Sequence, residues 1–175
     1  MNMAVRLHRQ ENEVLLKDDE LIITKTDLKG KITYANRAFM RIAGYYESQL
    51  IGQPHNIIRH PDMPKAVFRL LWKSIQSEQE FFGIVKNYVS NGDYYWVLAN
   101  ITPDYDSQGK VKGYYSVRRR PHPRAVERMK PLYKKMLEIE SRQSGHPGIQ
   151  ASLDYLLEQV HAERKDYQSF VLSLI

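Results

Sequence analysis

The chain has 175 residues and a mass of 20.6 kDa, room for one well-packed domain of roughly 100 to 150 residues with an appendage, and not for two large domains. Hydrophobic residues at 42% and charged residues at 26% exclude a wholly disordered or fibrous chain, and the absence of cysteine excludes a disulfide framework, a thiolate metal site and a cysteine nucleophile. The net charge of +6 is local, because eight basic residues against one acidic residue fall between Arg118 and Lys135. The first twenty residues contain no apolar run of the secretory kind, and no stretch approaches the ~18 to 20 apolar residues that cross a bilayer. A soluble, cytoplasmic protein without direct membrane insertion is expected.

Residues 1–19 read as a short amphipathic N-terminal cap around Val14, Leu15 and Leu16. Residues 20–120 carry the signals of a compact domain. Leu21 to Thr26 and Lys31 to Tyr34 are β-prone and flank the turn residues Asp27, Lys29 and Gly30, which predicts a hairpin. Asn36 suits the N-cap of a short helix over Arg37 to Ala43, closed by Gly44. Pro54, Pro61 and Pro64 divide the next stretch into turns. Asp62 stands where an N-cap is wanted for a longer helix, in which Ala66, Val67, Leu70, Leu71, Ser74 and Ile75 share one face. Three strands follow, Phe81 to Val89, Tyr94 to Thr102 and Lys110 to Arg120, the first two joined by the hairpin signal Asn91-Gly92. This order predicts an α+β domain: a five-stranded antiparallel sheet with short helices on one face and a ligand cavity between them. Residues 121–175 form an appendage of a basic helical segment to 139, a linker over 140–148 and a last amphipathic helix.

Several segments resemble a PAS domain: Ile32-Thr33-Tyr34-Ala35-Asn36 with Phe39 and Gly44-Tyr45, the Leu50-Ile51-Gly52-Gln53-Pro54 turn, and Asn91-Gly92-Asp93 before Trp96. Two runs are more specific. Gly52 through Ala66, with its Arg59-His60-Pro61-Asp62 core, and Gly83-Ile84-Val85-Lys86-Asn87 are similar to the N-terminal flavin-binding PAS domain of bacterial aerotaxis receptors. Pro131-Leu132-Tyr133-Lys134 also resembles those receptors. The resemblance implies a PAS fold holding noncovalent FAD, with the flavin redox state as the signal in redox or oxygen sensing of the energy-taxis type, and no enzymatic turnover. The membrane hairpin, HAMP segment and methyl-accepting coiled coil of full-length receptors are not in this sequence, so sensing carries over and direct output to a kinase does not.

A flavin ring needs a flat stacking surface and side chains that both donate and accept at its uracil-like edge. Asparagine meets the second need, which makes Asn87 and Asn100 candidates. Trp72 is a candidate stacking wall, whereas Trp96 suits core packing. Arg59 and His60 suit the pyrophosphate or the charge of a reduced ring: a guanidinium at 4 Å contributes roughly 4 kcal/mol at an effective dielectric near 20, before desolvation. Asp62 serves as helix cap and as partner to Arg59 or His60. With Asn36 of the matching segment, the candidate cofactor-binding set is Arg59, His60, Asp62, Trp72, Asn87, Asn100 and Asn36.

Asn87-Tyr88, Gly92 and Trp96 also fit the photosensory LOV branch, but without cysteine a light-formed thiol adduct is excluded. FMN is the alternative flavin. Haem b held by His55, His60 or another histidine is the rival cofactor, and a cofactor-free interaction module is a further alternative. Arg118, Arg119 and Arg120 end a strand instead of forming a recognition helix, so nucleic acid is not expected; the basic stretch suits a solvated face or a lining for FAD phosphates. The stripe Ile149, Leu153, Leu156, Leu157, Val160, Tyr167, Phe170, Val171 and Leu174 is too apolar to stand alone in water. It folds back on the sheet, or pairs with a second copy or a signalling partner.

Overall fold

A computed structural model describes residues 11–175; the part of the N-terminal cap before Glu11 lies outside the described residues. Five strands form one antiparallel sheet: β1 Ile22–Asp27, β2 Ile32–Ala35, β3 Phe81–Tyr88, β4 Tyr94–Tyr105 and β5 Val111–Arg119, in the order β2-β1-β5-β4-β3. The β1–β2 turn is closed by Asp27, whose carboxylate accepts from the Lys29 and Lys31 backbone N–H groups at 2.8 and 2.9 Å. Between β2 and β3 lie α1 Arg37–Ala43, α2 Glu47–Leu50, a 3₁₀ turn at His55–Ile58, and α3 Lys65–Gln76, all against one face of the sheet. The α+β architecture expected from the sequence is the one observed.

Local signals account for α1. The Asn36 Oδ1 accepts from Phe39 N–H at 3.0 Å, and Gly44 ends the helix at φ 72°, a conformation that favours a residue without Cβ. The start of α3 has a different basis. No side chain of its own turn caps it; instead the Glu140 carboxylate, 75 and 74 residues away in sequence, accepts from the Lys65 and Ala66 N–H groups, both at 3.0 Å. The expected Asp62 cap is therefore corrected. Pro64, not Asp62, holds the N-cap position, and the Asp62 carboxylate binds Lys86 Nζ at 2.7 Å.

Strand β4 continues to Tyr105, three residues further than the sequence suggests. Pro103 is tolerated there because β3 ends opposite Ile101, so no β3 ladder bond is lost. At its other end β4 extends past β5, and that open side is taken by the N-terminal segment, where Val14 N–H donates to Tyr94 O at 2.7 Å and Tyr94 N–H to Asn12 O at 3.0 Å. Trp96 is buried on the face away from α1–α3, beside Leu16 and Val126.

Three helices follow the sheet: α4 Pro123–Arg142, α5 His146–Ala162 and α6 Tyr167–Leu172. The single terminal helix expected from the sequence is broken at 163–166, where Arg164 has φ 57° and Asp166 caps α6 by accepting from Ser169 N–H at 2.7 Å. The expected linker over 140–148 shrinks to Gln143–Gly145 for the same kind of reason, since Glu140 is needed on α4 to reach α3. The apolar stripe folds back in cis. Leu153, Leu156, Val160, Phe170 and Val171 are buried, Tyr167 stacks on Phe81 at 5.7 Å, and Tyr133 O–H donates to Ile84 O, on β3, at 2.6 Å. These contacts help cover β3, an edge strand whose free N–H and C=O groups would otherwise invite pairing. No helix among the described residues is long and apolar enough to cross a membrane.

Candidate functional site

Strand alternation decides which side chains the helices can cover. Register pairs Asn87 with Tyr95, Val85 with Val97, Gly83 with Ala99, Ala99 with Arg118, and Ser116 with Thr24. The face beneath the helices thus carries Thr24, Tyr95, Ala99, Ser116, Arg118 and Asn87. Between it and α3 lies a cavity of about 220 Å³. Trp72, Phe68 and Leu71 wall it from α3, His55 from the 3₁₀ turn and Arg59 from just after it, and Lys29 with Gly30 from the β1–β2 turn. Gly30 is required there, because a Cβ at φ 77° would approach the Trp72 ring to 3.0 Å.

Of the seven residues singled out in the sequence, Arg59, Trp72 and Asn87 line this cavity and the other four do not. Asn100 is displaced by register. It pairs with Phe82 and Val117, faces the opposite side of the sheet, and donates from Nδ2 to Glu80 at 3.2 Å. Asn36 is consumed by structure, accepting from Phe39 and Ile23 N–H and donating to Leu21 O. His60 and Asp62 lie on the other side of β3. The Asp62 N–H donates to His60 Nδ1 at 3.0 Å, so the neutral ring carries its proton on Nε2 and donates to Glu11 at 3.1 Å.

These off-cavity residues still bear on Arg59. Three successive β3 residues grip the segment: Asn87 forms a backbone bridge with Arg59, Lys86 binds Asp62, and Tyr88 packs its ring 4.2 Å from His60. The Lys86 N–H also meets Met63 Sδ at 3.3 Å. Arg59 is thereby fixed at the cavity wall, half-buried, with its guanidinium 3.7 Å over the Phe68 ring, a cation–π geometry. Burial lowers its pKa and the charge of Glu140 acts in the opposite sense.

Sequence reasoning leaves Arg118 within the basic stretch and does not single it out as a site residue. Arg118 is 4% exposed and on the cavity wall; its Nε donates to Ser116 Oγ at 3.0 Å, and its Nη2 to His55 Nε2 at 2.6 Å and to Thr24 Oγ1. Burial pulls its pKa down to about 10. A guanidinium only donates, so His55 Nε2 must present a lone pair to it. Burial, and then the Arg118 charge, hold the His55 pKa well below its usual value, and the ring stacks 5.8 Å from Phe39. The alternation of Tyr114, Ser116 and Arg118 was the available signal for Arg118, and cross-strand register was needed to read it.

The cavity thus combines three cations, Lys29, Arg59 and Arg118, with aromatic walls, and no Asp or Glu is among the described residues that line it. Such a lining would favour a flat, anionic ligand over a cationic one. Of the two histidines named for haem, His60 has both nitrogens engaged away from the cavity, and His55 Nε2 accepts from a guanidinium. No group of three metal-binding side chains occurs among the described residues.

A five-stranded antiparallel sheet in this order, with the connecting helices folded over one face, defines a PAS domain, and residues 32–118 match the family model described as "PAS fold". Among curated proteins, the "Aerotaxis receptor" of Escherichia coli strain K12 is 42% identical over 134 residues, which is 77% of this chain and 26% of that protein. A "Nitrogen fixation regulatory protein" of Klebsiella pneumoniae is 30% identical over 105 residues, 60% of this chain and 21% of that one. The chain therefore spans about a quarter or less of these relatives, which are by name a receptor and a regulator. Among solved structures, the light state of the blue-light photoreceptor Aureochrome1 LOV superimposes with a TM-score of 0.53 at 21% identity, covering 78% of this chain and 97% of that one. That likeness concerns the fold.

Proposed function

We propose that this PAS domain is a redox or oxygen sensor that holds a noncovalent flavin, FAD in preference to FMN, and signals by a change of conformation and not by catalytic turnover. The observation that carries the reading is the acid-free cavity with Arg59, Trp72 and Asn87 on its walls. Trp72 offers the stacking surface, Asn87 the amide that donates and accepts at the ring edge, and Arg59 with Lys29 two cations near the surface, which suits the two phosphates of FAD better than the single one of FMN. The relationship to an aerotaxis receptor supports energy-taxis signalling.

Arg59 also supports a route out of the cavity. Its charge is coupled to Glu140, which caps the cavity-walling helix α3 from α4, so a change in charge beside Arg59 reaches the C-terminal helices. Those helices would pass it to a second copy of the chain or to a separate signalling protein. The test is a visible spectrum of the purified protein before and after dithionite, with chromatography of the released cofactor. Bands near ~450 and ~375 nm that bleach on reduction are expected, with FAD in the eluate and no sustained consumption of a reduced nicotinamide. A colourless protein that stays colourless after incubation with FAD and with FMN refutes the proposal.

A further inference from the structure

Arg118 is a buried cation without a counter-charge among the described residues. Three of its N–H groups go to neutral acceptors, Ser116, Thr24 and His55, and its Nη1 has no partner among the described residues. Among the described residues the groups that face it are neutral as well: the Phe39 ring at 5.4 Å on the α1 side, His55 from the 3₁₀ turn, Thr24 on flanking strand β1, Ser116 two residues before it on β5, and the Tyr95 phenol on flanking strand β4. Folding left a guanidinium desolvated at the wall of a cavity, with donor capacity unused, a state that is stabilised when an acceptor carrying negative charge arrives. The Tyr95 hydroxyl, buried near the same charge and beside the Asn87 side chain, makes no regular hydrogen bond either.

The three cavity cations differ in their access to water. Lys29 is exposed, Arg59 half-buried and Arg118 buried. Phosphates keep part of their hydration and belong with the first two. The deep position suits a flat ring whose edge offers carbonyl oxygens and whose charge becomes more negative when it accepts electrons. A fixed cation there interacts more strongly with the reduced ring than with the oxidised one, and burial enlarges that difference. We infer that Arg118, held in place by Ser116, Thr24 and a neutral His55, binds the polar edge of the ring and grips the reduced ring more tightly than the oxidised one. This rests on the flavin reading above and adds to it the residue that sets the potential.

The experiment measures FAD affinity of the oxidised protein by quenching of flavin fluorescence, and the midpoint potential by dye-coupled reductive titration, for wild type, Arg118→Gln, Arg118→Lys and Arg59→Gln. Arg118→Gln is expected to weaken the reduced complex at least tenfold more than the oxidised one, which is a fall of about 30 mV in a two-electron potential. Arg118→Lys, which keeps the charge and loses the fork, shows a smaller fall in the same direction. Arg59→Gln, which removes a half-buried cation that water screens, weakens both redox states and lowers the potential less than Arg118→Gln does. A merely structural role for Arg118 would lower affinity without moving the potential, and that outcome overturns the inference. Should Arg118→Gln fail to fold, an unchanged potential in Arg118→Lys overturns it equally. A wild-type protein that takes up no flavin is a separate result: it removes the reading of the cavity itself, and the role of Arg118 with it.

Discussion

Glu140 is the sharpest place to perturb the connection between the C-terminal helices and the sensor. Its two carboxylate oxygens take one backbone N–H each at the start of α3, from Ala66 and Lys65. Those amides point along the helix axis and have no acceptor within α3 itself. Losing a capping acceptor costs about 1 kcal/mol, and a carboxylate at a helix N-terminus contributes about 0.3–1 kcal/mol through the helix dipole. Attraction to the half-buried Arg59 adds a part that salt screens. The carboxylate is partly exposed, so water replaces some of the loss. Glu140→Ala is therefore expected to lose about 2 kcal/mol, and Glu140→Gln, which keeps one amide oxygen and no charge, about half of that. For a chain of this size each kcal/mol corresponds to about 2–4 °C in Tm, so the Ala variant should melt about 4–8 °C lower. Urea unfolding gives the energies and hydrogen exchange gives the place: the Lys65 and Ala66 amides exchange faster in Glu140→Ala while the β4 amides keep their protection. Equal stability of all three proteins, or unchanged exchange at Lys65 and Ala66, refutes the cap and with it the route from α4 to the cavity wall.

Two further outcomes follow from buried polar groups. Burial is the first cause that lowers the pKa of both His55 and His60, against Glu11 and Asp62 acting upward on His60 and, downward, Lys86 on His60 and Arg118 on His55. The unfolded chain therefore binds protons that the folded one does not below pH ~6.5, and stability should be intact above that value and fall beneath it, by up to about 1.4 kcal/mol per pH unit for each ring. Urea midpoints between pH 8 and pH 5 check this, and a His60→Gln variant with an undiminished slope would show that His60 takes no part. Tyr133→Phe removes the O–H that reaches Ile84 O on edge strand β3 and should cost about 1–2 kcal/mol; an unaffected melting temperature would show that this hydroxyl does not hold α4 to the sheet.

What was legible in the sequence divides by the distance over which its cause acts. Helix α1 could be read because its cap, Asn36, and its stop, Gly44, adjoin it. The start of α3 could not, since its cap arrives from Glu140, and the first residue that looked suitable, Asp62, is held by Lys86. Asn87 and Asn100 are both candidates from sequence, and only strand register separates them, because a shift of one residue reverses every side chain. The same parity sends Arg118 inward and Arg119 outward within one run of arginines. The break at 163–166 has a local signal, Asp166 three residues before Ser169, but the apolar stripe runs across it with helical spacing and masks it.

The segment Arg59-His60-Pro61-Asp62 shows why a contiguous motif need not be a contiguous site. Alternation on β3 puts Asn87 toward the cavity and Lys86 and Tyr88 away from it, so a chain clamped to all three must divide its own side chains in the same way. Arg59 goes in with Asn87, while Asp62 and His60 go out with Lys86 and Tyr88. The outer pair acts by holding the inner residue: if Asp62 or His60 lets go, the backbone bridge that sets the height of Arg59 above Phe68 loses its flanking support. Substitutions at His60 and Asp62 should then resemble weakened copies of substitutions at Arg59, whereas Arg118, anchored by different strands, should vary independently of all three.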